Sequence, residues 1–207
     1  MLSTLVKDDF SVDQLTPYCR PESISKICKL TKFSSKEVKF IYRAFKQGYP
    51  CGTITLEQFQ QIYAQFFPFG NSRKYAEYVF RTFDRDDNGK INFEVSLKDK
   101  EFITGLSIIS RGTVVAKMEW IFDLYDINRR GLISPDGLFR VIHSIYQLLG
   151  RNIIPPVDRH IIETHVFDVF KRMDKNNDGI VTRQEFLSTL LKDEALCQSF
   201  KYFDTRF

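Results

Sequence analysis

The sequence predicts an all-α chain of four helix-loop-helix units, paired two and two into two lobes, with small two-stranded β contacts between the paired loops. Three observations carry this. The first is a repeat of glycine-centred polar loops: DKNNDGIVTRQE at 174–185, DRDDNGKINFE from Asp84, DINRRGLISPDG at 126–137, and a faint copy, QGYPCGTITLEQ, around Gly52 and Ile54. The second is apolar residues at helical spacing beside the loops: Val79, Phe80 and Phe83 before the 84 loop, Val169, Phe170 and Met173 before the 174 loop, and Phe186, Leu187 and Leu190 after it. The third is a pair of helix-start signatures, Ser34-x-x-Glu37 and Thr55-x-x-Gln58, in which the first and fourth residues can cap each other's backbone.

The repeat divides the chain into a variable N-terminal segment (1–33), an N-terminal pair of units (34–111), a C-terminal pair (112–192) and a C-terminal helix (193–207). Its 207 residues, 43% hydrophobic with 20 Phe and 9 Tyr, are enough for real cores. So many phenylalanines suit either core packing or an apolar groove for a partner. No run approaches 18 consecutive apolar residues, which argues against a membrane span. Cys19, Cys28, Cys51 and Cys197 are widely spaced, and no secretory signal opens the sequence, so a reduced, cytoplasmic chain without disulfides is expected. The net charge of +4 is spread rather than clustered; it fits a solvated surface, with a weak leaning towards anionic membranes. Enzymatic chemistry finds no support, because HIIETH sets His160 and His165 five apart and is not the HExxH zinc pattern.

The loops have the frame of the EF-hand, which binds Ca²⁺ through oxygens at positions 1, 3, 5, 7, 9 and 12, with glycine at 6 and a bidentate Glu at 12. In the 174 loop every position is filled: Asp174, Asn176, Asp178, the Ile180 carbonyl, Thr182 beside a water position, and Glu185. One strong calcium site is therefore expected there. In the 84 loop Asp84, Asp86, Asn88 and the Lys90 carbonyl are in frame, but position 12 is Val95, with Glu94 one place early. Loop starts at 47, 84 and 126 leave this unit overlong, and removing VSLKDK, 95–100, would bring Glu101 to position 12. Those six residues read as an insertion that disables the hand, the competing reading being a bulged loop that recruits Glu94, Asp99 or Glu101.

The 126 loop keeps Asp126, Asn128, the Leu132 carbonyl and Ser134 but has Arg130 at position 5 and Gly137 at position 12. Its exit helix needs no ion, since Ser134 is a good N-cap, Pro135 fits the first helical position and Asp136 complements the helix dipole. Weak Mg²⁺ binding at the second or third hand is the competing expectation. The first loop has no carboxylate before Glu57 and is stiffened by Pro50, so it reads as structural.

Several longer runs resemble the neuronal calcium sensor family, and within it the Kv-channel-interacting (calsenilin-like) branch: YAQFFP at 63–68, LSIISRGT at 106–113, MEWIFDLYDIN at 118–128 and CRPESISKICKLTKFSSKEV at 19–38. Pro50 and Gly52 occupy places in that family's disabled first loop, although Tyr49 stands where the family usually has cysteine. The resemblance implies an auxiliary subunit, at the cytoplasmic face of the plasma membrane, that takes a helical segment of an A-type voltage-gated potassium channel's N-terminus into an apolar groove. Ile62, Phe66, Phe67, Tyr78, Trp120, Ile145 and Tyr146 are the candidate groove walls, and Leu196, Phe200 and Phe203 of the C-terminal run are spaced to fill the groove until a partner displaces them. A recoverin- or frequenin-like regulator of a membrane-associated kinase or cyclase is the alternative. Nucleic-acid binding, described for calsenilin-like proteins, finds no recognition motif or concentrated basic face here. Family members generally bind calcium in the third and fourth hands, so the damaged third loop is a departure. Leu2 replaces the glycine needed for myristoylation, which leaves Cys19 and Cys28 as acylation candidates for peripheral membrane association, with unmodified thiols the default.

Overall fold

The structure, a computed structural model, describes residues 21–92, 101–150 and 158–198. The first lobe contains α1 (Pro21–Leu30), α2 (Ser35–Gly48), β1 (Thr53–Thr55), α3 (Leu56–Phe66), α4 (Arg73–Phe83), β2 (Lys90–Asn92) and α5 (Glu101–Arg111). The second contains α6 (Val114–Tyr125), β3 (Leu132–Ile133), α7 (Pro135–Leu149), α8 (Arg159–Met173), β4 (Val181–Thr182) and α9 (Arg183–Lys192). The strands pair antiparallel as expected, with Ile54 opposite Ile91 and Ile133 opposite Val181, so each lobe joins two loops back to back through buried β-branched residues.

Local chemistry starts the helices where the sequence places them. Both expected capping boxes form: Ser34 N–H donates to Glu37 Oε2 at 2.8 Å while Glu37 N–H donates to Ser34 Oγ at 3.4 Å, and Thr55 and Gln58 do the same. Thr182 and Glu185 make a third such box at the start of α9. Ser134 caps α7, accepting from Gly137 N–H at 3.1 Å, with Pro135 in the first turn.

The segment set apart ahead of the first hand is only partly separate, because α1 belongs to the N-terminal lobe. Ile27 is 1% exposed in its core. The turn after α1 is fastened to the end of α5: Lys32 N–H donates to Ser107 Oγ at 3.1 Å, and Arg111 donates to the Lys32 carbonyl at 2.8 Å, pairs with Glu37 and covers the Phe33 ring at 4.7 Å. This is long-range packing, which no local pattern announces.

The phenylalanines divide between the core and the surface. Phe59 packs edge-on against Phe80 at 5.6 Å, Phe45 meets Phe102 at 5.1 Å, and Phe122 meets Phe186 edge-on at 5.5 Å, at contact distances favourable for aromatic pairs. Phe40, Phe66, Phe69 and Phe167 stand exposed.

The lobes meet through α4, which packs against α6 and α7. Trp120 Nε1–H on α6 donates to Thr82 Oγ1 on α4 at 3.0 Å, and Asn71 N–H donates to the Gln147 carbonyl at 2.8 Å. Next to that bond a Cβ on Gly70 would lie 1.8 Å from the Leu148 carbonyl oxygen, so only glycine allows this approach.

Candidate metal centre

The loops share one backbone template whatever their side chains. At position 4 Asp87, Arg129 and Asn177 all adopt the left-handed region, with φ of 59°, 52° and 56°. Two residues later Gly131 and Gly179 have φ of 75° and 82°, where a side chain would be strained. The aspartate at position 1 organises the turn from within. Asp174 accepts Asp178 N–H at 3.3 Å and Gly179 N–H at 3.0 Å; Asp126 accepts Arg130 N–H at 3.0 Å and Gly131 N–H at 2.7 Å; Asp84 accepts Asn88 N–H at 3.1 Å and Gly89 N–H at 2.9 Å. Each of the three carboxylates is buried at the foot of its entering helix. Burial, above all, raises the pKa of Asp84, opposed by the Gly89 and Asn88 amides.

In the fourth loop Asn176 Oδ1 accepts Asp178 N–H at 3.0 Å, Asp178 Oδ1 accepts Ile180 N–H at 3.0 Å, and Asn176 Nδ2 donates to Asp178 Oδ2 at 2.9 Å. Glu185 is turned to its capping box, where Oε2 accepts from Thr182 N–H at 3.0 Å and Thr182 Oγ1–H at 2.7 Å. These bonds lower its pKa, helped by the Lys175 amide at the other end of the loop and opposed by Asp178. Among the described residues no three His, Cys, Asp or Glu side chains are gathered tightly enough to grip an ion. The donor set is nonetheless the one a hard divalent cation takes: carboxylate, amide and carbonyl oxygens in the correct order, on a loop already folded around Asp174. Asp174, Asn176, Asp178, the Ile180 carbonyl and Glu185 fit calcium, with Glu185 the donor that must swing in.

The second loop holds Asp84, Asp86 and Asn88 in a matching arrangement, with Asn88 Nδ2 donating to Asp86 Oδ2 at 2.7 Å and Lys90 N–H to Asn88 Oδ1 at 2.8 Å. The insertion read at 95–100, with Glu94, lies outside the described residues, as does the side chain of Glu101.

The third loop is folded without a closing acid. A Cβ on Gly137 would stand 3.3 Å from both Ser134 Oγ and the Tyr125 carbonyl, so a side chain at position 12 would require these neighbours to give by a few tenths of an ångström. Asn128 and Arg130 are exposed. The neighbour of Arg130 was missed by sequence reasoning. Arg129 leaves its own hand, donating through Nη2 to the carbonyls of Arg81 at 2.7 Å and Asp84 at 2.5 Å, and lying 3.5 Å from Asp87 Oδ1 through Nη1. It thus caps the C-terminus of α4 and ties loop three to loop two. In the first loop a fixed cation stands against the turn: Lys46 Nζ donates to the Pro50 carbonyl at 3.4 Å and lies 2.7 Å from where a Cβ on Gly52 would be.

The groove candidates separate into two groups. Ile62, Phe66 and Phe67 share the end of α3 and its cap; Phe66 is 74% exposed, the other two half-buried. Tyr78 and Tyr146 are also half-buried, with the Tyr146 hydroxyl 3.3 Å from His165 Nδ1. Trp120 and Ile145, by contrast, are 7% and 3% exposed and belong to the core, because the interior faces of α6 and α7 carry them inward. Leu196 of the C-terminal run is buried; Phe200 and Phe203 lie outside the described residues.

Three loops on one template, one of them with a full set of oxygen donors, and a fourth that keeps the glycine at position 6 define a calcium-binding helix-loop-helix protein of two paired lobes. Family models for an EF-hand domain pair match residues 115–190 and residues 50–94. The chain therefore carries two EF-hand domain pairs.

Proposed function

We propose that this EF-hand protein is a calcium sensor and auxiliary subunit that holds a helical cytoplasmic segment of an A-type voltage-gated potassium channel against an apolar surface and so modulates gating or trafficking. The resemblance to the Kv-channel-interacting branch suggests the partner. The observation that carries the reading is the exposed end of α3, where Phe66 projects beside Ile62 and Phe67, a surface suited to the apolar stripe of an amphipathic helix. Trp120 and Ile145 would form a floor beneath such a groove only after the lobes rearrange.

Sensing is assigned to the fourth hand as the single strong calcium site, with weak Mg²⁺ binding at the second or third. Calcium would supply charge that draws carboxylates together. Glu185 is both the N3 residue of the α9 capping box and the closing donor, so its movement towards Asp174 and Asp178 acts directly on the start of α9. Phe186, fully buried against Phe122, would carry that displacement into the core of the second lobe.

The test is calorimetry of the full chain with a peptide from an A-type channel N-terminus, with and without calcium. Binding that Phe66→Asp weakens at least about tenfold is expected, since losing a buried aromatic anchor is worth more than 1 kcal/mol. No binding of the channel peptide, alongside calcium-dependent binding of a kinase or cyclase partner, would replace this reading with the recoverin-like one.

A further inference from the structure

Residues 21–48, which span α1 and α2, hold seven lysines and arginines against two acids, Glu22 and Glu37. That excess is larger than the +4 of the whole chain, so the remaining residues are together slightly acidic. The cations stand mostly three or four positions apart, which reads as an even spread along the sequence, but a helix turns that spacing into a stripe. Lys36, Lys39, Phe40 and Arg43 share one exposed face of α2; Lys26, Lys29 and Leu30 share one exposed face of α1, and Lys32 is exposed in the turn between. The other faces fasten the two helices to the lobe, with Ile27, Val38 and Phe45 buried in its core.

Among the described residues, none of the six exposed cations pairs with a carboxylate. Glu37, the acid of α2, is committed to Arg111 and to its own capping box. The seventh cation, Lys46, donates to the Pro50 carbonyl and stands apart from the stripe. Two large apolar side chains project among the charges, Leu30 at 55% and Phe40 at 73% exposed. Five of the six cations are lysines, compact charges on flexible apolar stems that answer a diffuse negative field and can extend towards it over apolar surface. A carboxylate or phosphate held in one geometry is matched better by the planar fork of arginine. Lysines flanking an exposed aromatic on one helical face suit a bilayer boundary, where the charges stay among headgroups and the ring enters the acyl region.

We infer that the exposed face of α2, with the cations of α1 beside it, docks on an anionic phospholipid bilayer. Lys36, Lys39 and Arg43 meet the headgroups and Phe40 enters the boundary beneath them, while Lys26, Lys29 and Lys32 add to the attraction. The surface shares no residue with the calcium donors or with the exposed end of α3, so it stands or falls independently of the channel reading.

The experiment floats the full chain with vesicles of phosphatidylcholine alone and of phosphatidylcholine with phosphatidylserine in a two-to-one ratio. A calcium chelator is present throughout, so that calcium bridges to lipid play no part. Binding to the phosphatidylserine vesicles only is expected, falling as salt rises. Lys36→Gln and Lys39→Gln should each weaken it about fivefold, the contribution of one lysine at such a surface. Lys192→Gln removes the same charge from the exposed end of α9 and should change binding less than about twofold, because a charge beyond the screening length contributes little. Phe40→Trp should add emission that moves to shorter wavelength with phosphatidylserine vesicles and stays unmoved with phosphatidylcholine alone, a gain that misfolding cannot imitate. The inference is overturned by equal binding to both kinds of vesicle or to neither, by a Lys192→Gln loss equal to that of Lys36→Gln, or by added emission that phosphatidylserine leaves unmoved. Capture by polyglutamate without binding to phosphatidylserine vesicles would also overturn it and would assign the face to an acidic protein.

Discussion

Trp120 on α6 donates its indole N–H to the hydroxyl of Thr82 on α4, 38 residues away in sequence, at 3.0 Å. The same hydroxyl donates to the Val79 carbonyl at 2.7 Å, so Thr82 holds one helix while receiving the other. Thr82→Val keeps the shape but leaves the indole without an acceptor. It should cost about 1 kcal/mol, the net worth of a typical hydrogen bond with its donor left unpaired. Chemical denaturation measures the loss, and a shift in Trp120 emission at zero denaturant would report the loosened lobe junction directly.

Glu185→Gln separates the two duties of that residue. Glutamine can still serve at N3 of a capping box, so unfolding midpoints without calcium should move little. The strongest calcium site seen by calorimetry should disappear, because an amide offers one oxygen where the ion needs a charged bidentate donor. Two strong sites in the unmutated chain would contradict the assignment of calcium binding to the fourth hand alone.

Deleting residues 95–100 brings Glu101 to position 12 of the second loop. Asp84, Asp86 and Asn88 already share the loop backbone of the fourth hand, so a second divalent site should appear in the same titration. An unchanged stoichiometry would mean that the insertion is not what disables this hand.

In the third hand, Arg130→Asp with Gly137→Glu restores both missing acids. The Glu side chain must displace Ser134 Oγ and the Tyr125 carbonyl by a few tenths of an ångström, since both lie 3.3 Å from its Cβ position. The double variant should gain a calcium site and calcium-dependent Trp120 fluorescence. Ser134→Ala should cost about 1 kcal/mol in the original chain and less in the calcium-loaded double variant. Equal costs in both backgrounds would show that the cap and the ion are not alternatives.

Glu37 is held down to about 2 by its pairing with Arg111, and further by the Ser34 amide and hydroxyl, against an ordinary value of 4.5. A carboxylate depressed in the folded state stabilises it fully above the unfolded value and loses that contribution as pH falls through the folded one. Stability of the first lobe should therefore decline between about pH 4.5 and pH 2, and Glu37→Gln should flatten that part of the profile. Because the pair is solvent-exposed, the slope should shrink in high salt.

The loops, their pairing and their caps were legible because the physics that makes them is local. Asp174 to Glu185 lies in one stretch, Ser34 caps a residue three positions on, and the helical period surrounds both. Arg129 could not be read in the same way: its acceptors, Arg81 and Asp84, are 48 and 45 residues away, and backbone carbonyls have no signature in the sequence. Trp120 and Ile145 were assigned to a groove because an aromatic or aliphatic residue on an amphipathic helix has the same spacing whether its face meets a partner or another helix. Only the docking of α4 against α6 and α7 decides between them. Ile27 is a similar case: its burial follows from the packing of α1 against α2 and the core of the first lobe.

The shared left-handed residue at position 4 and glycine at position 6 mean that a hand's architecture is inherited separately from its chemistry. Loop three keeps the turn with Arg130 and Gly137 in place of two of its acids, and loop one keeps Gly52 in the same conformation beside a lysine. A lineage can then silence or revive an ion site by exchanging one or two side chains, without passing through an unfolded ancestor. Divergence among such hands should accordingly be concentrated in the donor positions, while the turn that carries them changes slowly.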